Sequence, residues 1–422
     1  MATLAAPAGP IAERQPTDWA TPAMRSRIAA RYRAERNFRR LGAAALVIAA
    51  SFLAFLLFTI VRDGWTGFQR TETRIEVQFD AATLGVDPAA VAGPQGQALL
   101  ARADYQALLL KAAPEVVREA LMDDPTLLGK RASLWVPVRS SIDLLAKGKY
   151  DLAAPAESRG VTDREVSDWR WLDGKGLLRT GFNTTFLFGA DSTEPELAGI
   201  GGAALGSLLT LAVTIAIAFP LGVFSAVWLE EFAPKGRLAD IIELSINNLA
   251  AVPSIIFGLL GLAFFLNFAG MPRSAPLVGG ITLALMIMPV IVIASRVAIK
   301  AVPPSIRDAA LGIGASPIQV VFHHVLPLAL PGIMTGTIIG IARALGETAP
   351  LLLIGMRAFV TDVPQGFTAP ATVLPMQVFL WSDDVQRGFV EKTSAAIMVL
   401  MLVLIAMNSL AIYLRNRFER RW

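Results

Sequence analysis

Apolar and polar positions divide this chain into long uncharged runs and one polar insert. Residues 41–61 carry no charge, nor do residues 201–229, 244–271, 274–295 and 393–414. A further apolar run begins near Leu328, is interrupted by Arg343 and Glu347, and ends near Met356. The hydrocarbon core of a bilayer is about 30 Å thick and a helix rises about 1.5 Å per residue, so roughly 20 apolar residues make a span. The pattern predicts six membrane-crossing helices.

Residues 63–199 break this regime. From Thr73 to Phe79 apolar and polar side chains alternate with period two, as on a half-buried strand, and Phe182, Thr184, Phe186 and Phe188 repeat the alternation. Residues 101–122 place Leu108, Leu109, Ala112, Val116, Ala120 and Leu121 near one helical face. About 130 residues can bury a core of their own. The expected fold is an all-α polytopic membrane protein with an α+β external insert. Residues 1–40 form a basic leader, 41–62 the first span, 63–199 the insert, 200–414 a five-helix core containing the loop 303–327, and 415–422 a tail.

Composition agrees with lipid as the solvent. Hydrophobic residues make up 54% of the chain and charged residues only 17%, against about 25% charged in soluble domains. The positive charges are concentrated. Arg25, Arg27, Arg31, Arg33, Arg36, Arg39 and Arg40 precede the first run, and Arg415, Arg417, Arg420 and Arg421 follow the last. Beside spans such clusters fit the bias that holds Lys and Arg in the cytoplasm better than they fit nucleic-acid binding. Lys235, Arg237, Arg296, Lys300 and Arg307 then fall on the same side, and both termini are expected in the cytoplasm. The leader of about 40 residues and the long first run suit an uncleaved anchor rather than a signal peptide. The absence of cysteine excludes disulfides and thiolate chemistry, and the only histidines, His323 and His324, are adjacent. No Gly-x-x-x-x-Gly-Lys-Ser/Thr sequence occurs, so a P-loop is not expected, nor enzymatic activity, nor any cofactor or metal site.

The loop 303–327 carries the most specific pattern. Ser305 with Asp308 reads as an N-cap and its reciprocal partner, Gly314 as a left-handed stop, and Ser316 followed by Pro317 as a second helix start. The expected unit is helix, sharp turn, helix. The sequence Asp308, Ala309, Ala310, three residues, Gly314, nine residues, His324, Val325, Leu326, Pro327 resembles the loop shared by permease subunits of bacterial ABC importers. That family has Glu, Ala, Ala at its start and an aliphatic residue where His324 stands. The resemblance implies that this loop, including Arg307, docks on an ATPase. An ordinary amphipathic pair of surface helices is the alternative.

A closer resemblance is to the phosphate permeases of these importers, including forms with an enlarged external insert. It rests on residues 250–259, on Trp228, Leu229, Glu230 and Glu231, and on residues 341–352 with Arg343 and Glu347. It implies a MetI-like permease core with two ATPase subunits, a homologous second permease subunit and a periplasmic phosphate-binding protein as partners. Phosphate is the implied cargo and the cytoplasmic membrane the implied location, with sulfate or molybdate as alternatives. Independently of that likeness, a charge within a span costs roughly 2.5–3.5 kcal/mol, so it usually faces a path or a partner. Arg343 stands about 15 residues into its run, roughly 22 Å along a helix, and its planar fork matches phosphate oxygens. Glu347, one turn on, can hold the guanidinium; a purely structural pair is the other reading. Pro253 and Ser254 interrupt the third run, exposing backbone to a path or merely kinking the helix. A membrane receptor is disfavoured because only about eight residues follow the last span, too few for an output domain. A secondary transporter needs no ATPase-docking loop.

Overall fold

A computed structural model describes residues 21–91, 93, 96–100, 114–234, 236–356 and 359–418. Two units result, Met1–Thr59 and Ile60–Trp422. The first is dominated by the helix Pro22–Gly64, whose arginines from Arg25 to Arg40 occupy its N-terminal part while Arg62 stands in its last turn; Arg39 Nη2 meets Glu35 Oε1 at 2.6 Å one turn back. Residues 1–20, Lys235, Arg420 and Arg421, on which parts of the charge argument rest, lie outside the described residues.

In the second unit the insert is built on three antiparallel strands in the order β2-β1-β3, with β1 Gln69–Gln78, β2 Arg131–Pro137 and β3 Leu178–Phe182. The period-two pattern is realised in β1. Thr73 pairs with Val136, and Val77 and Phe79 are buried with Leu84, Val117 and Leu121. Val117 and Leu121 belong to the helix Pro114–Asp123. The first part of the helix expected over 101–122, residues 101–113, lies outside the described residues.

The strand expected through Phe182, Thr184, Phe186 and Phe188 is corrected: β3 ends at Phe182 and Thr184–Phe188 is a helix. Asn183 decides the matter, because its side chain accepts from Phe186 N at 3.0 Å and so caps the new helix. Phe186 is then buried against Phe68 and Trp381, while Phe182 and Phe188 stay exposed.

The remaining chain is helical. Among the described residues five helices are long and apolar enough to cross a membrane, and a sixth if a bent pair counts as one span. The third run, expected over 244–271 with an interruption at Pro253 and Ser254, is broken there into Arg237–Ala250 and Ser254–Phe268, which meet at 103°. The fifth stops at Gly346 rather than running to Met356. Glu347 is extended, and a short helix, Ala349–Leu353, comes next. Pro350 favours such a break, since the residue before a proline is driven from helical geometry.

Small residues let the core helices approach. A Cβ on Gly280 would fall 2.5 Å from Val213 Cβ, and one on Gly336 only 2.1 Å from Ala294 Cβ. Such contacts are the usual basis of helix association in lipid, where no hydrophobic force separates protein from solvent. Thr214 Oγ1 adds a bridge, donating within its own helix to Thr210 O at 2.8 Å and lying 3.2 Å from Gly280 O.

Candidate functional site

The loop between the helices Pro276–Lys300 and Leu326–Gly346 forms the bent unit expected of it. Pro304–Gly312 is helical, Gly314 has φ +90°, and a second helical segment starts at Pro317. Ser316 and Gln319 make a reciprocal capping box, with Gln319 N donating to Ser316 Oγ and Ser316 N donating to Gln319 Oε1 at 2.9 Å. The expected cap at Ser305 is corrected. The first helix begins two residues earlier than that cap implies, at Pro304, and its N-cap Pro303 contributes no side-chain bond. Proline at the first position needs no partner for an amide hydrogen it lacks.

The two alanines divide their roles. Ala310 is buried, whereas Asp308 and Ala309 face outward. Ile313 is 83% exposed and Ile318 63%, so the tip of the bend presents aliphatic side chains to whatever meets it. Val320, Val321 and Val325 turn inward and fasten the second arm to the core. Leu326 and Pro327 are half-buried at the start of the next helix. His323 and His324 line, with Ala298, Pro303, Ile306 and Pro327, a cavity of about 620 Å³. The family's aliphatic position is thus taken by an imidazole on a cavity wall.

Arg307 braces the base of the unit. Its Nη2 meets Glu231 Oε1 at 2.6 Å and donates to Ile299 O at 3.0 Å, while Nη1 donates to Val302 O at 2.7 Å. One guanidinium therefore satisfies carbonyls at the C-terminal end of Pro276–Lys300, where a cation also complements the helix dipole. Next to it Glu230 accepts from Arg296 Nε at 2.5 Å and lies 3.4 Å from Lys300 Nζ; Arg296 Nη2 reaches Glu243 at 2.7 Å. Sequence reasoning used Glu230 and Glu231 only as carriers of resemblance and missed this brace. The signal was present: two acids at one helix end and three bases in the next connection on the same side.

Arg343 and Glu347 stand together at the end of their helix, Nε to Oε1 3.4 Å, with side chains 41% and 22% exposed. The helix terminus places the pair beside a break, not in the middle of a continuous span. Pro253 and Ser254 sit at the other break, Pro253 exposed and Ser254 half-buried. The segments just C-terminal to the two breaks meet. A Cβ on Gly258 in Ser254–Leu260 would fall 2.6 Å from Pro350 Cα in Ala349–Leu353. Two interrupted helices thus pack backbone to backbone, a juxtaposition that spacing alone did not reveal.

A family model described as "Binding-protein-dependent transport system inner membrane component" matches residues 218–422, and a domain of unknown function, DUF3333, matches residues 25–117. The chain belongs to that transport family: it is a multi-pass permease subunit of an ABC importer. Its likeness within the family is to PstA. The phosphate transport system permease protein PstA 1 of Mycobacterium tuberculosis (strain CDC 1551 / Oshkosh) is 32% identical over 248 residues, 58% of this chain and 79% of that protein. PstA of Yersinia pestis is 30% identical over 229 residues, 53% of this chain and 76% of that protein. The MetNI methionine ABC transporter, in inward-facing conformations, overlays with TM-score 0.41 at 19% identity, covering 51% of this chain and 95% of that chain.

Proposed function

We propose that this permease subunit carries inorganic phosphate across the cytoplasmic membrane by alternating access, with two separate ATPase subunits supplying the force. The observation that carries the reading is the loop 304–325: a rigid bend, aliphatic at its tip and ion-paired at its base. A knob of this kind transmits displacement rather than absorbing it, because Gly314 fixes the turn and Arg307 ties the arm to two membrane helices. In this reading Arg307, Asp308, Ala309, Ala310, Gly314, Leu326 and Pro327 form the ATPase-coupling loop. Both termini lie in the cytoplasm with it.

Phosphate is favoured by the names of the relatives and by the chemistry at the helix break. Arg343 stays charged at any working pH and offers a planar fork to the anion's oxygens. Glu347 holds the guanidinium between cargoes and repels an anion that lingers. The break at Pro253 and Ser254 lies on the same route, since the helix after it packs on the segment after Glu347. A homologous second permease completes the pore, and a periplasmic phosphate-binding protein delivers the cargo to the insert side. The reading is tested in proteoliposomes holding the assembled transporter. ATP-dependent uptake of phosphate, without uptake of sulfate or molybdate and abolished by disabling the ATPase, is the expected result. Uptake without ATP hydrolysis, or sulfate carried equally well, overturns it.

A further inference from the structure

A second cavity, of about 310 Å³ and lined by charged groups, lies where the insert meets the spans; Asp63, Lys149, Tyr150, Arg387, Val390 and Glu391 are among its walls. Its level in the membrane can be placed from the sequence. Asp63 stands two residues past the uncharged run 41–61, and Arg387 and Glu391 open the helix whose uncharged run starts at residue 393. Those two helix ends touch, since a Cβ on Gly64 would fall 2.7 Å from the Ser394 carbonyl carbon. Lys149 and Tyr150 reach the cavity from the insert. The pocket is therefore at headgroup depth, where tyrosines also gather.

Its charges are of both signs and only partly used within the chain. Among the described residues the Lys149 ammonium makes no ion pair within 4 Å, although its charge, after the Arg62 hydrogen bond, helps to hold the Asp63 carboxyl below its ordinary value. Arg387 gives Nη1 to Arg159 O at 3.0 Å and lies 5.7 Å from the Tyr150 ring centroid. Glu391 receives Lys147 Nζ on Oε1 at 2.9 Å, and among the described residues Oε2 receives no hydrogen bond. Asp63 holds Arg62 at 2.9 Å. An anion alone would meet the two cations but leave Glu391 Oε2 without a donor and the half-exposed Asp63 carboxylate with Arg62 alone.

The geometry points to a binding site for the headgroup of a zwitterionic phospholipid bearing a primary ammonium. The phosphodiester meets Lys149 and Arg387, the ammonium meets Asp63 and Glu391, and the acyl chains leave past the exposed Val390. A primary ammonium is required because only N–H donors can hydrogen-bond the two carboxylates; a quaternary one has none. Lipid held here ties the ends of the first and last spans to the insert.

The test is native mass spectrometry of the assembled transporter released from nanodiscs of equal parts phosphatidylethanolamine, phosphatidylcholine and phosphatidylglycerol with identical chains. Retained phosphatidylethanolamine is expected to exceed the others by about tenfold, the worth of one or two charge-assisted hydrogen bonds. Lys149→Glu should remove the preference, and Asp63→Asn should shift it towards phosphatidylglycerol. Val390→Trp, which blocks the mouth without changing any charge, should lower all three and keeps the test open if Lys149→Glu fails to assemble. Equal retention of the three lipids by the unaltered protein overturns the proposal, as does an unchanged preference in Lys149→Glu or undiminished retention in Val390→Trp. So does displacement of the lipid by millimolar inorganic phosphate, which would make the pocket an anion site.

Discussion

Arg307 and Glu231, 76 positions apart in sequence, meet at 2.6 Å and lock the first arm of the bent loop to the end of the second apolar helix. The same guanidinium holds the carbonyls of Ile299 and Val302. A push on the loop therefore reaches two helices at once. Arg307→Ala leaves a mostly buried carboxylate and two carbonyls without their donor, a loss of about 1–3 kcal/mol after allowance for the partly exposed guanidinium. We expect the variant to retain ATPase binding in pull-downs but to transport at least about tenfold more slowly, a drop of that energetic size. Wild-type uptake by Arg307→Ala removes the brace from the mechanism.

Gly314 offers a test that touches no side-chain contact. Its φ of +90° is a conformation that L side chains rarely adopt, and no atom outside its own neighbours lies within 4 Å of a Cβ built there. Gly314→Val thus adds only backbone strain, about 1–2 kcal/mol, which straightens or shifts the bend. The expected outcome is ATP hydrolysis that persists while uptake falls, read by parallel phosphate-release and uptake assays. Tight coupling in Gly314→Val would refute the rigid-turn assignment.

At the helix break, Arg343→Ala is expected to abolish uptake while the protein still inserts and assembles, because the pair is partly exposed and holds no part of the packed core. Arg343→Lys keeps the charge but not the planar fork, and should transport weakly with a raised KM. Equal loss of assembly in both variants would make the pair a structural one. Normal uptake by Arg343→Ala would take it off the route altogether.

How much of this was legible before the structure depends on the range of the physics involved. The spans, the helix start at Ser316 and the turn at Gly314 are local, each decided by residues within a turn or two, and the chain could be read for them directly; the capping box was expected at Ser305 with Asp308 and is made instead by Ser316 with Gln319. The Phe182–Phe188 segment misled because its alternation fits one turn of helix as well as a strand, and only the Asn183 cap separates the two. The fifth span misled in its length, and the third, read as interrupted at Pro253 and Ser254, gave no hint of how sharply it turns. Hydropathy counts apolar residues but is blind to a 103° bend. The braces were out of reach for a different reason. Arg307 with Glu231, and Lys147 with Glu391 across 244 positions, are meetings of residues whose proximity no spacing rule supplies.

The junction between insert and spans makes the last prediction, on pH. Glu196 accepts from Ser140 N at 3.2 Å, and Asp191 accepts from Trp381 Nε1 at 3.0 Å. Burial nevertheless pushes both carboxyls above their ordinary values, in opposition to those hydrogen bonds. A raised carboxyl binds its proton more tightly folded than unfolded, so between the two values stability falls as pH rises. The contribution is whole below the unfolded carboxyl range, about pH 4, and is lost as pH climbs through the folded value. Glu196→Gln keeps an oxygen for Ser140 and removes the buried charge. It should therefore raise the thermal midpoint of the detergent-solubilised transporter at neutral pH, and the gain should shrink as pH is lowered towards about 4. A midpoint that falls at pH 7, or a gain independent of pH, would mean that Glu196 is stabilised by its partners more than it is penalised by burial.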